Sequence, residues 1–403
     1  MGNSIRFGKW TVLCAAVSIN IIIGILYIWS IISKALINDW HWTGKEASLP
    51  YTVAIIAFVL AMTVFGKIQD IKGPRFTTTI SGILLGGGLI LSSLTTNPKL
   101  IVLTFGIITG SGVGIAIVST LAPAIKWFPP EKKGMITGIT VAGIGVSSII
   151  YSPVTHFLIE NFGVSKTFLY MGIVSLVLMV GLAQFLVNPP EGYGFQNREA
   201  AGESSDSETK FAPGLTWKEM LKTVSFYKLW IMFAFSASAG LMVVAHAANI
   251  AKVQINWEGG FYMVIMLSVF NTIGRFFGGS IADRIGWLNL MRIVFILPAI
   301  NMLVFSHYNN VAMLAFGISV VGFCYGATYS VFPAALIELY GMRDFGANYG
   351  LVMTGWGLGG VIGPMVAAYF LDSTKTYYSA YLIASVLLII VFIITFTFRT
   401  KKA

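Results

Sequence analysis

The sequence predicts an all-α integral membrane protein, with twelve transmembrane helices in two pseudo-symmetric six-helix halves. Three observations predict it. Of 403 residues, 56% are hydrophobic and only 10% charged, and the mean hydropathy is +0.80. A soluble domain carries about 25% charged residues. The apolar runs are long and unbroken, not alternating, so they read as helices of the ~20 residues a bilayer requires rather than as strands of a closed barrel. Finally, the chain repeats itself. Gly66, Asp70 and Gly73, in the pattern G-x-x-x-D-x-x-G, return 213 residues later as Gly279, Asp283 and Gly286. Gly138, Gly143 and Gly145 return 212 later as Gly350, Gly355 and Gly357, and Pro123 returns 210 later as Pro333. The expected organisation is an N-terminal half (1–187), a linker (188–225) and a C-terminal half (226–403). Repeats of this kind build transporters whose binding site lies between the halves near the midplane.

The spans follow in order. Span one (10–33) is the run from Trp10 to Ile32, too long for a signal-peptide core and without a cleavage pattern. Span two (48–68) runs into the first G-x-x-x-D-x-x-G. Spans three (76–96) and four (100–127) come next, and Pro123 lies in the fourth. Span five (134–158) starts after Lys132 and Lys133 and carries the first glycine series. Span six (166–187) leads into the one long polar segment, whose NPPEGYGF and AAGESSDSETK stretches bury too little apolar surface to order themselves. Its end, Thr216 to Val224, predicts a short amphipathic helix on the membrane surface. Span seven (226–251) holds His246, and span eight (259–281) holds Arg275. Spans nine (288–306), ten (311–337), eleven (345–370) and twelve (377–398) complete the set. Cys14 and Cys324 both fall inside apolar runs, as small core residues, and give no disulfide framework.

Charge sets the orientation. With the N-terminus placed in the cytoplasm, 19 of the 26 Lys and Arg residues fall on the cytoplasmic side and 6 outside. That bias predicts both termini and the linker in the cytoplasm, in a multi-pass protein of the cell (inner) membrane. It also explains the net charge of +10 without nucleic acid.

The remaining cation is Arg275, in the middle of span eight. A charge there costs at least ~2.5–3.5 kcal/mol on insertion scales. No Asp or Glu lies inside any span, because Glu160 and Glu338 sit at ends. Either a ligand anion or backbone carbonyls must satisfy it. Arg is permanently charged and bidentate toward carboxylates. Asn271, four residues earlier, shares its helix face and can bind the substrate or orient the guanidinium.

The repeated G-x-x-x-D-x-x-G elements, with Arg75 after the first and Arg284 inside the second, resemble the cytoplasmic loop motif of the major facilitator superfamily. Glycine ends each helix, and Asp70 and Asp283 are placed to accept hydrogen bonds from a helix N-terminus in the opposite half. The resemblance implies a gating role for Asp70, Arg75, Asp283 and Arg284. A narrower likeness follows. Trp127-Phe-Pro-Pro-Glu-Lys-Lys-Gly134 with Thr137, Gly138, Thr140, Ala142, Gly143 and Gly145 is similar to the span four–five region of oxalate:formate antiporters, and more loosely to monocarboxylate transporters. Asn271-Thr-Ile-Gly-Arg275, Tyr325-Gly-Ala-Thr-Tyr329 and Leu26-Tyr27-Ile-Trp29 match the same group. The chain is thereby identified as a member of the oxalate:formate antiporter group, close to bacterial monocarboxylate transporters. The resemblance implies the major facilitator fold.

The departures narrow the expectation. The oxalate family's second intramembrane cation falls here on Trp356, its span-four tyrosine on Ile117 and its span-one glutamine on Leu26. One cation suits a monoanion beside an apolar wall. The expected substrate is a small monocarboxylate such as lactate, bound by Arg275 and Asn271 with Tyr27, Tyr325, Tyr329, Trp356 and Leu26 around it. Each tyrosine has a plain alternative as a packed or interfacial aromatic. For coupling, proton symport leads and oxalate:formate-type exchange is the alternative. His246 is either the protonation site, since it titrates in the useful range, or a satisfied core histidine. A proton shared with the substrate itself is a further route. No cofactor is expected, and a monomer is. An enzyme would need a nucleophile with its base, a metal cluster or paired carboxylates. The four histidines, His41, His156, His246 and His307, are scattered. A sensor would need an output domain, for which the 38-residue linker is too short.

Overall fold

The computed structural model describes residues 8–190, 193 and 214–398. The first half of the linker, with Arg198 and Lys210, and the terminal charges Arg6, Arg399, Lys401 and Lys402, lie outside the described residues.

Among the described residues, eleven continuous helical segments are long and apolar enough to cross a membrane. One of them, Lys133–Ala183, has 51 residues, and non-helical Gly163 (φ 76°) divides it. A straight helix of that length would run about 75 Å, over twice a bilayer's hydrocarbon core. It is therefore two spans, and the described residues hold twelve. We label them α1 (Lys9–Trp40), α2 (Gly44–Lys72), α3 (Pro74–Ser92), α4 (Pro98–Lys126), α5 (133–162) and α6 (164–183). The C-terminal half has α7 (Val224–Ile255), α8 (Gly260–Ile285), α9 (Trp287–Val304), α10 (Val311–Tyr340), α11 (Phe345–Thr374) and α12 (Tyr378–Thr395).

Helix ends follow local chemistry. Thr43 and Glu46 form a capping box at the start of α2, and Thr223 and Asn310 cap α7 and α10. Proline opens α3 and α4, where a missing N–H costs nothing. The two repeat glycines, Gly73 and Gly286, end α2 and α8 at the same φ of 84°, in backbone that glycine alone adopts easily. Two helices depart from regularity. In α1, Gly24–Ile28 tightens to 3₁₀ geometry where Gly24 presses on Ser147 of α5. In α4, Val102–Thr109 widens to a π-helix. The segment expected to be a nine-residue surface helix is helical only over Trp217–Met220, one turn closed by a Thr216–Glu219 capping box. Its backbone is tied down instead: the Leu215 N–H donates to the Tyr340 carbonyl at 2.9 Å, and Trp217 N–H donates to Asp344 at 3.4 Å.

The halves meet along two seams, α5 against α8 and α2 against α11, with α5–α10 and α4–α11 contacts beside them. Glycine permits both. A Cβ on Gly134 would sit 2.3 Å from the Gly279 carbonyl, and one on Gly66 would sit 2.2 Å from that of Gly346. The ring and glycine contacts and most hydrogen bonds that cross the seams fall between residues 58 and 70 of α2, 134 and 145 of α5, 272 and 283 of α8, and 346 and 357 of α11, and the ion pairs Lys67–Asp344 and Lys133–Glu338 flank them. Those are the helix portions toward the linker. These contacts close the halves together on the linker face.

Candidate functional site

Arg275 sits above these contacts, in the middle of α8, with none of its surface exposed. Its backbone is pinned from two sides. A Cβ on Gly138 of α5 would lie 2.5 Å from its carbonyl, and the Ser330 hydroxyl of α10 donates to that carbonyl at 2.5 Å. The guanidinium makes three hydrogen bonds. Nε donates to Asn271 Oδ1 at 2.8 Å, Nη1 to the Val141 carbonyl at 3.2 Å and Nη2 to the Tyr27 hydroxyl at 2.9 Å. The Tyr329 ring covers one face, with its centroid 4.2 Å from Cζ, a cation–π distance. Among the described residues no carboxylate pairs with it. A guanidinium has five N–H groups, so two remain, one on each terminal nitrogen. Asn271 therefore orients the guanidinium, and one backbone carbonyl shares in its satisfaction.

The aromatic wall is continuous. Trp356 Nε1 donates to the Tyr325 hydroxyl at 3.0 Å. Tyr325 meets Tyr329 edge-on with centroids 5.6 Å apart, and Tyr329 meets Trp356 at 5.9 Å. Phe58 of α2 packs on Trp356 at 5.4 Å and so completes the wall from the other half. Leu26 and Ile117 are buried on α1 and α4. Tyr27 differs from the rest: its hydroxyl reaches the buried guanidinium, yet 40% of the residue is exposed.

His246 is placed elsewhere. Its Nδ1 lies 3.0 Å from the Tyr377 hydroxyl and its Nε2 lies 3.2 Å from the Pro364 carbonyl. Asn249 also donates to Tyr377, at 2.8 Å. A carbonyl only accepts, so Nε2 carries a proton and neutral Nδ1 accepts from Tyr377. These partners all belong to the C-terminal half and lie toward the opposite face, and none touches Arg275.

On the linker face, Asp283 accepts from the Gly134 and Met135 N–H groups, both at 2.8 Å, at the N-terminus of α5. Asp70 accepts from Gly346 and Ala347, both at 3.2 Å, at the N-terminus of α11. Lys67 pairs with Asp344 at 2.9 Å and Lys133 with Glu338 at 2.9 Å. Arg75 and Arg284 are exposed beside these contacts. Sequence reasoning missed Val141, because a backbone carbonyl leaves no trace in residue type. It also missed Phe58, Lys67 and Asp344. The 213-residue repeat holds a signal for Phe58, which stands at the position equivalent to Asn271.

Comparison with known proteins identifies the family and the fold. A model of the Major Facilitator Superfamily matches residues 11–308 and 293–403. An uncharacterized MFS-type transporter, YhjX, from Escherichia coli is 26% identical over 88% of this chain and 86% of its own length. The oxalate:formate antiporter of Oxalobacter formigenes is 25% identical, over 90% and 86% respectively. Monocarboxylate transporter 9 of Mus musculus is 22% identical, over 79% and 78%. Among solved structures, the proton:xylose symporter XylE superposes with a TM-score of 0.75 at 14% identity, covering 97% of this chain and 95% of that one. At that identity the likeness speaks for the fold alone.

Proposed function

The chain belongs to the major facilitator superfamily and is a multi-pass membrane transporter, not an enzyme, and from that premise we propose that it carries a small monocarboxylate of the lactate kind. One observation carries the reading. A fully buried guanidinium, with no carboxylate partner among the described residues and one donor left on each terminal nitrogen, faces an aromatic wall. A carboxylate supplies the missing charge and two acceptor oxygens. The ring faces of Tyr325, Tyr329 and Trp356 receive its small apolar end. A second carboxylate would find no cation, since Trp356 stands where the resemblance places one.

The mechanism is alternating access. The anion enters from the face opposite the linker, past the exposed Tyr27, displaces its hydroxyl and takes Nη2 of Arg275. The halves then rock about the site, releasing the Asp70 and Asp283 contacts on the linker face, with Arg75 and Arg284 beside them. The 19-to-6 charge bias supports a cytoplasmic linker face, with the opposite face turned outward from the inner membrane. Proton symport neutralises the single anion in transit. Exchange of the oxalate:formate type is the second reading, and the relative from Oxalobacter formigenes supports it.

The test is uptake of labelled lactate and oxalate into proteoliposomes, with and without an imposed pH gradient. Lactate uptake that rises with inward acid is expected. Oxalate uptake without lactate uptake would sink the monocarboxylate reading. Lactate uptake indifferent to pH but driven by internal formate would replace symport by exchange.

A further inference from the structure

We propose that the Tyr27 hydroxyl and the Val141 carbonyl stand in for the substrate carboxylate when the carrier is empty, so that the unloaded protein completes its cycle and transport is net rather than obligatory exchange. The inference rests on Arg275 as the carboxylate site.

The physical problem is a charge that must stay buried at every step. Each passage between the two open states closes protein around the midplane, and a buried cation without partners is prohibitively unfavourable. A carrier whose guanidinium is satisfied only by substrate closes only when loaded, which makes it an exchanger. In this chain the protein itself supplies the acceptors. Both terminal nitrogens, the pair that would grip a carboxylate, are bonded to neutral oxygens of the N-terminal half, Nη1 to Val141 at 3.2 Å and Nη2 to Tyr27 at 2.9 Å. Both bonds cross the interface, and Arg275 has no exposed surface with them in place. The pair mimics two carboxylate oxygens in number and target, without the charge.

The two oxygens are not equally mobile. Val141 contributes backbone from the middle of α5, which Gly138 and Gly145 press against α8. Tyr27 contributes a side chain from the 3₁₀ stretch Gly24–Ile28, two-fifths exposed. The hydroxyl therefore yields to an incoming anion and returns when the anion leaves. Phenylalanine at this position keeps the ring and removes the oxygen, leaving Nη2 bare in the empty carrier alone.

The experiment compares wild type and Tyr27→Phe in proteoliposomes with labelled lactate, measured as net uptake into lactate-free vesicles and as exchange into lactate-loaded ones. We expect the ratio of exchange to net uptake to rise about tenfold, the scale of one lost charge-assisted bond. An unchanged ratio, whether both modes fall together or neither does, overturns the proposal. Should the variant be silent in both modes, spin labels at Ile37→Cys on α1 and Val253→Cys on α7, in a Cys14→Ser background, report the opposite face without added carboxylate. Wild type is expected to populate both an open and a closed distance, and Tyr27→Phe to lose one of them. Identical distributions overturn the proposal. This measurement needs no transported anion, so a carrier that ignores lactate defeats the monocarboxylate reading while the role of Tyr27 is still decided.

Discussion

The α8 and α2 seams are copies of one repeat, and they differ at the midplane. At the 213-residue offset, Asn271 and Arg275 of α8 correspond to Phe58 and Met62 of α2. Both seams are glycine-tight, both end in a φ 84° glycine, and both aspartates reach the N-terminus of a helix across the interface. The α2 copy does this with an apolar middle: Met62 is fully buried and Phe58 packs on Trp356. Packing two halves together thus requires no charge at this level. The α2 seam makes the same clamp without an arginine at this position.

The sharpest way to break that comparison is to make the seams alike. Arg275→Met imports the residue that α2 already buries, so the purified protein should keep its helical content and monodispersity. Lactate uptake should fall by about a hundredfold or more, the range for losing one partner of a buried charged pair. Arg275→Lys should lose most transport as well, because an ammonium lacks the planar two-nitrogen edge. Full uptake by either variant would remove the basis of the site.

The gates come next. Asp283 bonds at 2.8 Å where Asp70 bonds at 3.2 Å, so Asp283→Asn should open the linker face more than Asp70→Asn does. A charge-assisted bond contributes about 1.5–3 kcal/mol, so the first change should shift the open-to-closed ratio by roughly tenfold or more and the second by less. Cysteine accessibility on the linker face reads the difference, and equal shifts would mean the two clamps are equivalent.

The ion pairs should rank the same way by burial. Asp344 is 6% exposed at its side chain and Glu338 is 53% exposed. Lys67→Met strands a buried carboxylate that keeps the Trp217 N–H, and should lower thermal stability by about 1–3 kcal/mol. Lys133→Met loses an open pair and should cost about 0.2–1 kcal/mol. A melting series in detergent orders them.

The smallest effect is expected at His246. Its two nitrogens are engaged within the C-terminal half, apart from Arg275. His246→Gln should therefore leave the response of uptake to a pH gradient within about twofold, while destabilising the outer end of α7 by roughly 1 kcal/mol for the lost bonds. Abolished pH response would instead make His246 the protonation site.

Much of the site was legible in the sequence. Arg275 and Asn271 could be paired from their spacing of four on one helix face, and the structure joins them at 2.8 Å. The helix-end role of Asp70 and Asp283 could be read from a motif that repeats. Other features were not legible. The Val141 carbonyl, the tightening of α1 at Gly24 and the engagement of His246 with Tyr377 depend on which helices become neighbours. The short length of the Trp217–Met220 helix has the same origin, since tertiary bonds to Tyr340 and Asp344 take over its backbone.

By itself the sequence determined the twelve spans, the two-fold repeat and the presence of one cation that no span neutralises, because a bilayer constrains length and polarity residue by residue. Only the tertiary structure decided what that cation touches. Besides Asn271 on its own helix, its partners come from α1, α5 and α10, up to 248 residues away in the chain, and one of them is a backbone atom. Such contacts are set by how closely glycine lets helices approach, and distance across a seam is not written in the order of residues along a chain.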